Sequence, residues 1–354
     1  MGASIGASAG ATVRVQPPRT TTSAAAASFM LRLKHRGPVY RNFALTGVAG
    51  YVAPRHLQAI HDVGGHLVAA LDPHDSVGVL DRYFSDAAFF TEFERFDRHV
   101  EKLRRGPAEG RVHYVSICAP NHLHDAHIRF ALRVGADAVC EKPLVLNPWN
   151  LDALEELERE SGRRVYTVLQ LRVHPTILAL REKLSASSSA MHDVVLTYCA
   201  PRGRWYRYSW KGVDEQSGGV ATNIGIHFYD LLLWLFGSVR ESRVHLRDPQ
   251  RYGGVLELER ARVRWFLSID RGDLPAGASG PFRSIVIDGH EVDFAEGFAD
   301  LHTKVYAETL AGRGFTIADA RPSIELVHDI RTAAVVAPDA EAHPRVVALA
   351  RQPR

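Results

Sequence analysis

Lysine is rare in this chain, 6 residues beside 37 arginines, and one of the 6 stands in Glu141-Lys142-Pro143, directly after the apolar run 138–140. An ammonium at the end of a strand lies where open α/β sheets bind ligands. There it can hydrogen-bond a substrate hydroxyl and stabilise a developing alkoxide. An ordinary Glu/Lys pair at a strand end is the plainer alternative. A second segment, Cys118-Ala119-Pro120-Asn121-His122-Leu123-His124, follows the apolar run 112–117. Pro120 stiffens a turn there, and Asn121 offers both a donor and an acceptor. Of His122, His124 and His127, two stand three apart and could ligate a metal, but no carboxylate or cysteine is spaced to help them. Surface or capping histidines are expected, and no metal.

A third segment is Gly47-x-x-Gly50-x-x-Ala53. The common G-x-G-x-x-G/A fingerprint of dinucleotide sites is one residue shorter, but its second half is intact here. Gly50 lets the backbone approach a pyrophosphate, and Ala53 allows a helix to pack close to a strand. The helix N-terminus would supply N–H groups and partial positive charge to phosphates. Asp72 follows Gly50 by 22 positions, where a carboxylate can accept both ribose hydroxyls and repel a 2′-phosphate. That favours NAD over NADP. A structural turn in a protein that binds no nucleotide is the alternative.

These side chains need a frame, and the pattern supplies one. NFALTG at 42–47 reads as a buried strand, and 51–63 as a helix with Pro54 in its first turn. HLVAAL at 66–71 is a second strand, ending in Asp72. Runs 112–117 and 138–140 are two more strands, with helical spacing at 125–134 between them. A helix at 151–161 and a strand at 164–169 follow. Strands alternating with helices argue for a parallel, doubly wound sheet.

Composition bounds the rest. The chain has 354 residues, 46% hydrophobic and 23% charged, which fits a folded soluble protein of two domains. No run of about eighteen apolar residues appears, so no membrane span is expected. Cys118, Cys140 and Cys199 lie far apart, which argues against a zinc ribbon or a disulfide framework and fits the cytoplasm. The net charge of +3 is local. Arg14, Arg19, Arg32, Lys34 and Arg36 stand in an acid-free stretch, and the remainder is slightly acidic, so no nucleic-acid-binding face is implied. Residues 1–40, rich in Ala, Ser, Thr and Gly, are expected to be disordered. Their composition suits an organelle leader or, more plainly, a misassigned start in a GC-rich gene, with Met30 as an alternative start.

The motifs taken together carry a resemblance. Ala119-Pro120-Asn121 with His124, then Ala131-Leu132 with Gly135, then Glu141-Lys142-Pro143, resemble the Gfo/Idh/MocA oxidoreductases. Longer blocks, among them RGRWYRYSWKG and GVATNIGIHFYDLL, resemble one bacterial subgroup, from about Arg41 to the C-terminus. The resemblance implies an N-terminal Rossmann domain over 41–165. It also implies a substrate-binding and oligomerisation domain over 166–354, α+β, with a large open, mostly antiparallel sheet. Strand-like runs at 193–200, 238–246, 253–258, 261–270 and 283–288, and helices at 225–236 and 301–311, agree in outline.

The subgroup implies NAD-dependent oxidation at C3 of UDP-2-acetamido-2-deoxy-D-glucuronate to the 3-keto sugar, for O-antigen and lipopolysaccharide synthesis, by a cytoplasmic tetramer. Gly47, Gly50, Tyr51, Val52, Asp72, Ala119, Pro120, Asn121, His124, Glu141, Lys142 and Gln170 would hold NAD. His227 would take the hydroxyl proton while Lys142 hydrogen-bonds that oxygen. Asn223 stands where relatives commonly carry Asp; one helical turn from His227, it can face the same pocket. Arg172 could pair with a carboxylate or a phosphate. Trp205 and Tyr206, among Arg202, Arg204, Arg207 and Lys211, suit a nucleotide sugar or an interface loop. Some members recycle NADH with 2-oxoglutarate, which these residues do not decide. Oxidation of another sugar or inositol, a non-catalytic dinucleotide sensor, and an idle scaffold remain as alternatives.

Overall fold

The computed structural model describes residues 41–186, 191–293 and 297–351, so the leader reading for 1–40 lies outside the described residues. Six parallel strands form the first sheet: β1 (Asn42–Thr46), β2 (His66–Leu71), β3 (Ala88–Phe90), β4 (Tyr114–Ile117), β5 (Asp137–Cys140) and β6 (Val165–Thr167). Their order is β3-β2-β1-β4-β5-β6. The chain reverses its winding between β1 and β4, and ligands of open parallel sheets bind at such a point, outside the carboxyl ends of the strands. All five residues of β1 are buried, as expected of a central strand covered on both faces.

Helix α1 (Ala53–Asp62) follows β1 with Pro54 in its first turn. It begins two residues later than the spacing predicts, because Val48–Val52 are spent on the turn. Helix α2 (Phe93–Arg105) and strand β3 fill the interval between β2 and β4, which the periodicity leaves unread. Helix α3 (His124–Arg133) and helix α4 (Pro148–Ser161) complete this half. Strand β6 is shorter than 164–169 because Gln170–Val173 coil into a 3-10 turn.

The second sheet is built from β7 (His192–Cys199), β8 (Val239–Arg247), β9 (Arg251–Leu258), β10 (Ala261–Ser268), β11 (Phe282–Ile287) and β12 (His290–Glu291). Their order is β12-β11-β7-β10-β9-β8. Only β7 and β10 pair in parallel; the other neighbours are antiparallel. Helix α5 (Ile226–Phe236) packs on this sheet, with Tyr229 edge-on to Trp265 at 5.4 Å between ring centroids. A Cβ at Gly225 would come within 2.5 Å of Leu267, so glycine sets how closely helix and sheet approach. The helical run Asp214–Phe236 is long and apolar enough to span a membrane by length and composition. Its burial inside the protein accounts for that apolarity.

Two later helices tie the halves together. Helix α6 (Leu301–Leu310) packs against α1, and its Tyr306 lies 5.9 Å from Phe43 of β1, ring to ring. Helix α7 (Ile317–Thr332) packs against both α4 and α5. Thr316 and Asp319 form a reciprocal cap at its start, which secures the first turn ahead of Pro322.

Candidate active site

The carboxyl ends of β1, β2, β4, β5 and β6 bring Gly47, Asp72, Ala119-Pro120-Asn121, Glu141-Lys142 and Gln170 to one edge of the parallel sheet. Gly47 has φ +84°, and a Cβ there would sit 2.5 Å from the Cys118 carbonyl carbon, so only glycine fits. Its carbonyl accepts the Gly50 N–H at 3.0 Å. Tyr51 is exposed at the tip of the turn and Val52 half-buried. Helix α1 carries no acidic residue in its first turn and no side-chain cap. This bare helix N-terminus, behind a turn that admits only glycine at position 47, fits a dinucleotide pyrophosphate. Asp72 accepts the Ala49 N–H at 3.0 Å on one oxygen and the His74 N–H at 2.9 Å on the other. Each oxygen keeps acceptor capacity for a ribose hydroxyl.

Lys142 is half-buried and its Nζ donates to the main-chain carbonyl of Asn223 at 3.2 Å. Burial pushes its pKa down, Glu141 opposes this, and Arg202 adds to it. Glu141 is buried. Its Oε1 lies 3.0 Å from both His56 Nε2 and His302 Nε2, and its Oε2 accepts the Lys142 N–H at 3.2 Å. Burial alone would raise this carboxyl; the two imidazole hydrogen bonds outweigh it and hold the group well below the usual carboxylate range.

Ala221–Gly225 form a π-helical turn ahead of α5, a wider turn than the α-helix the spacing implies. Such turns recur at functional sites. Gly218 and Gly219, at φ +77° and +70°, start it, and a Cβ on Gly218 would strike Thr222 at 2.6 Å. His227, just beyond the turn, shares a small pocket with Lys142, Leu169, Leu171, Ile226 and Asp230. Its ring makes no hydrogen bond to another described residue. Burial, then the Lys142 charge, lower its pKa well below the ordinary imidazole value, so it starts neutral.

Several side chains are engaged elsewhere than the sequence suggests. Arg172 is buried and grips Asp230 with two bonds, at 3.0 and 2.7 Å, and Asp319 with two more, one to its carboxylate and one to its carbonyl. Four of its five donors are thus committed within the protein, which leaves one N–H for the anion that the sequence suggests. Asn121 donates to Ser217 O at 2.9 Å and to Asn223 Oδ1 at 3.4 Å, leaving only its carbonyl for a ligand. His124 spans the carbonyls of Pro143 at 2.7 Å and Ala119 at 2.9 Å, joining two turns of the edge rather than facing it. Asn223 donates to Tyr206 Oη at 2.9 Å, not to His227. Tyr206 is buried while Trp205 is exposed, so the pair presents two different surfaces.

Two further cations lie near Lys142, Arg202 and Lys211. Lys211 lies over the Trp210 ring at 4.0 Å. Its pKa is lowered by burial, then by Lys142 and Arg202. Three mutually repelling cations, with no salt bridge to a carboxylate among the described residues, suit an anionic ligand. The residues that sequence reasoning missed are His56, His302 and Tyr306. His56 and His302 reach Glu141 from 85 and 161 positions away, and Tyr306 reaches His56 from 250, distances over which no local spacing carries a signal. Among the described residues, His56, Glu141 and His302 are also the group whose atoms lie close enough together to be weighed as metal ligands. Two imidazoles on a single oxygen at hydrogen-bond separation are fully accounted for as N–H donors.

Comparison with known proteins gives the family. The family model "Oxidoreductase family, NAD-binding Rossmann fold" matches residues 41–169, and "Oxidoreductase family, C-terminal alpha/beta domain" matches 191–270. The chain is 54% identical to the WlbA (WbpB) dehydrogenase of Thermus thermophilus solved with NAD and alpha-ketoglutarate, with a TM-score of 0.83 over 86% of this chain and 99% of that one. The Thermus WlbA structure with NAD and UDP-GlcNAcA gives a TM-score of 0.82 at the same identity and coverage. D-glucoside 3-dehydrogenase of Escherichia coli K12 is 27% identical over 143 residues, which span 39% of this chain and 40% of that enzyme.

Proposed function

This chain belongs to the Gfo/Idh/MocA oxidoreductase family, and from that premise we propose that it oxidises C3 of UDP-2-acetamido-2-deoxy-D-glucuronate with NAD, giving the 3-keto sugar. The observation that carries the reading is the pocket shared by Lys142 and a neutral His227 with no hydrogen bond to described protein groups. His227 accepts the 3-hydroxyl proton through a ring nitrogen. Lys142 turns its ammonium from the Asn223 carbonyl to the same oxygen and stabilises the charge that develops there. NAD would supply the hydride acceptor, and the Gly47–Gly50 turn, the N-terminus of α1, Asp72, Ala119, Pro120 and Gln170 would hold it. Arg202 and Lys211 take the uronate carboxylate or the diphosphate, and Tyr206 with Asn223 shapes the sugar pocket.

The 2-oxoglutarate in one Thermus structure and the UDP-sugar in the other support a cycle with two substrates, in which the ketoacid restores NAD. A boundary near 165 divides the cofactor domain from the substrate and oligomerisation domain. We take the working enzyme to be a cytoplasmic homotetramer serving O-antigen sugar synthesis. The test is direct. The full chain is incubated with NAD and UDP-2-acetamido-2-deoxy-D-glucuronate, with and without 2-oxoglutarate, while absorbance at 340 nm and product mass are followed. A UDP-3-keto sugar supports the reading; its absence from a protein that binds NAD overturns the substrate assignment.

A further inference from the structure

A line of buried polar side chains runs behind the catalytic edge. Ser116 Oγ lies 2.6 Å from Tyr306 Oη, Tyr306 Oη 2.7 Å from His56 Nδ1, and His56 Nε2 3.0 Å from Glu141 Oε1. His302 Nε2 reaches that same oxygen at 3.0 Å. These groups come from β4, α6, α1 and the end of β5. The direction of the bonds follows from Glu141. An ionised carboxylate only accepts, so both imidazoles donate through Nε2–H. Neutral His56 then accepts from the Tyr306 hydroxyl, which accepts in turn from Ser116. Every bond has one donor and one acceptor, and the line ends on the residue beside Lys142.

We propose that His56 and His302 are positioning residues for the catalytic lysine: they lock the Glu141 carboxylate, which fixes the Lys142 main chain and keeps a negative charge beside its ammonium. The proposal rests on the role given to Lys142 above. The geometry gives it a reason. Glu141 Oε2 holds the Lys142 N–H, and with Oε1 pinned by two donors the carboxylate cannot rotate away without leaving both imidazole N–H groups buried and unmatched. The charges around Lys142 are otherwise unfavourable. Arg202 and Lys211 face it, His227 shares its pocket and His124 lies close by. Around Glu141 stand His56, His302, His227, Tyr306, Cys118 and Cys140, of which none brings a permanent positive charge. Among the described residues, Glu141 is the neighbouring charge that favours protonated Lys142.

The experiment compares wild type, His302→Gln, His302→Met, Glu141→Gln and the double variant His302→Met/Glu141→Gln. Gln keeps an N–H donor at the same reach; Met removes it at similar bulk. With UDP-2-acetamido-2-deoxy-D-glucuronate, His302→Met should lose about tenfold or more in kcat with KM within about twofold. The alkaline limb of its pH profile should move to lower pH, because Lys142 loses its counter-charge. His302→Gln should recover most of both. Glu141→Gln should move the limb the same way, and the double variant no further. The lysine pKa itself is read without substrate, by NMR titration of the ¹³C-dimethylated protein. The 6 lysines are few enough to assign by substitution. That measurement separates the two readings: a keto-sugar assay that fails in wild type sinks the substrate assignment, whereas an unmoved Lys142 resonance in His302→Met sinks the clamp. Equal losses in His302→Gln and His302→Met, with Lys142 unmoved, would mark His302 as merely structural. One zinc per chain that survives chelation and is lost in His302→Met would also overturn the proposal.

Discussion

The Nζ of Lys142 and the main-chain carbonyl of Asn223 meet at 3.2 Å, joining the end of β5 to the π-helical turn that delivers His227. The bond ties the candidate electrophile to the element that carries the candidate base. It is also easily given up, since a carbonyl leaves Lys142 two further N–H donors for a substrate oxygen.

Two substitutions test the roles. Lys142→Ala and His227→Ala should each lower kcat by about a hundredfold or more. NAD affinity, followed by titration calorimetry, should stay close to wild type in both. A variant that keeps the wild-type rate removes its residue from the mechanism.

The acid side of the pH profile should be displaced. His227 must be neutral to accept a proton, and burial with the Lys142 charge holds its pKa well below the ordinary imidazole value. The acid limb of kcat/KM should therefore fall below that value. Removing the charge with Lys142→Met should raise the His227 pKa and carry the limb of the residual rate to higher pH. A limb at the ordinary imidazole position in wild type contradicts the site electrostatics.

Arg172 and Lys211 should separate stability from recognition. Arg172→Met leaves Asp230 buried without its partner, a loss of about 3–5 kcal/mol in urea unfolding. Lys211→Gln should leave unfolding unchanged and raise KM for the uronate. A selective KM effect at Arg172, with stability intact, would restore it to the substrate site.

Asp72→Ala should weaken NAD by about ten- to a hundredfold, the worth of a hydrogen bond to a charged group. It should also narrow the preference for NAD over NADP, measured as the ratio of kcat/KM values. An unchanged ratio argues against the ribose contact.

His127 gives a stability signature. It is buried, hydrogen-bonded to Thr46 Oγ1 at 2.9 Å and stacked on Phe93, and burial lowers its pKa from 6.5 to about 4. The unfolded chain takes up a proton below 6.5 that the folded chain refuses, so stability falls as pH drops from 6.5 toward 4. The size is up to about 3 kcal/mol for this one group. His127→Asn should flatten that part of the pH–stability curve, measured by urea unfolding.

The first sheet is legible in the sequence because its strands are short apolar runs bounded by turns, and Gly47, Gly50 and Asp72 fall where such turns need them. The interval holding β3 and α2 is not, since β3 has three residues and α2 buries little beyond Phe96 and Val100. Lys142 and His227 can be singled out by residue type and motif. The internal bonds of Arg172 are not legible, because a guanidinium that binds a carboxylate of its own protein looks the same in sequence as one awaiting a ligand. His56 and His302 are invisible for a different reason. They matter through a carboxylate that only folding brings to them.

Helix α6 has a consequence for the order in which the molecule can assemble. The strands that hold the cofactor edge are complete by Thr167, but Ser116, His56 and Glu141 wait for Tyr306 and His302. A chain still emerging from the ribosome would hold these three buried polar groups each short of one partner until its last fifth is made, though His56 and Glu141 already have each other. Contacts so distant along the chain are slow to form. The first half can collapse early, but its catalytic edge sets only when synthesis is nearly done.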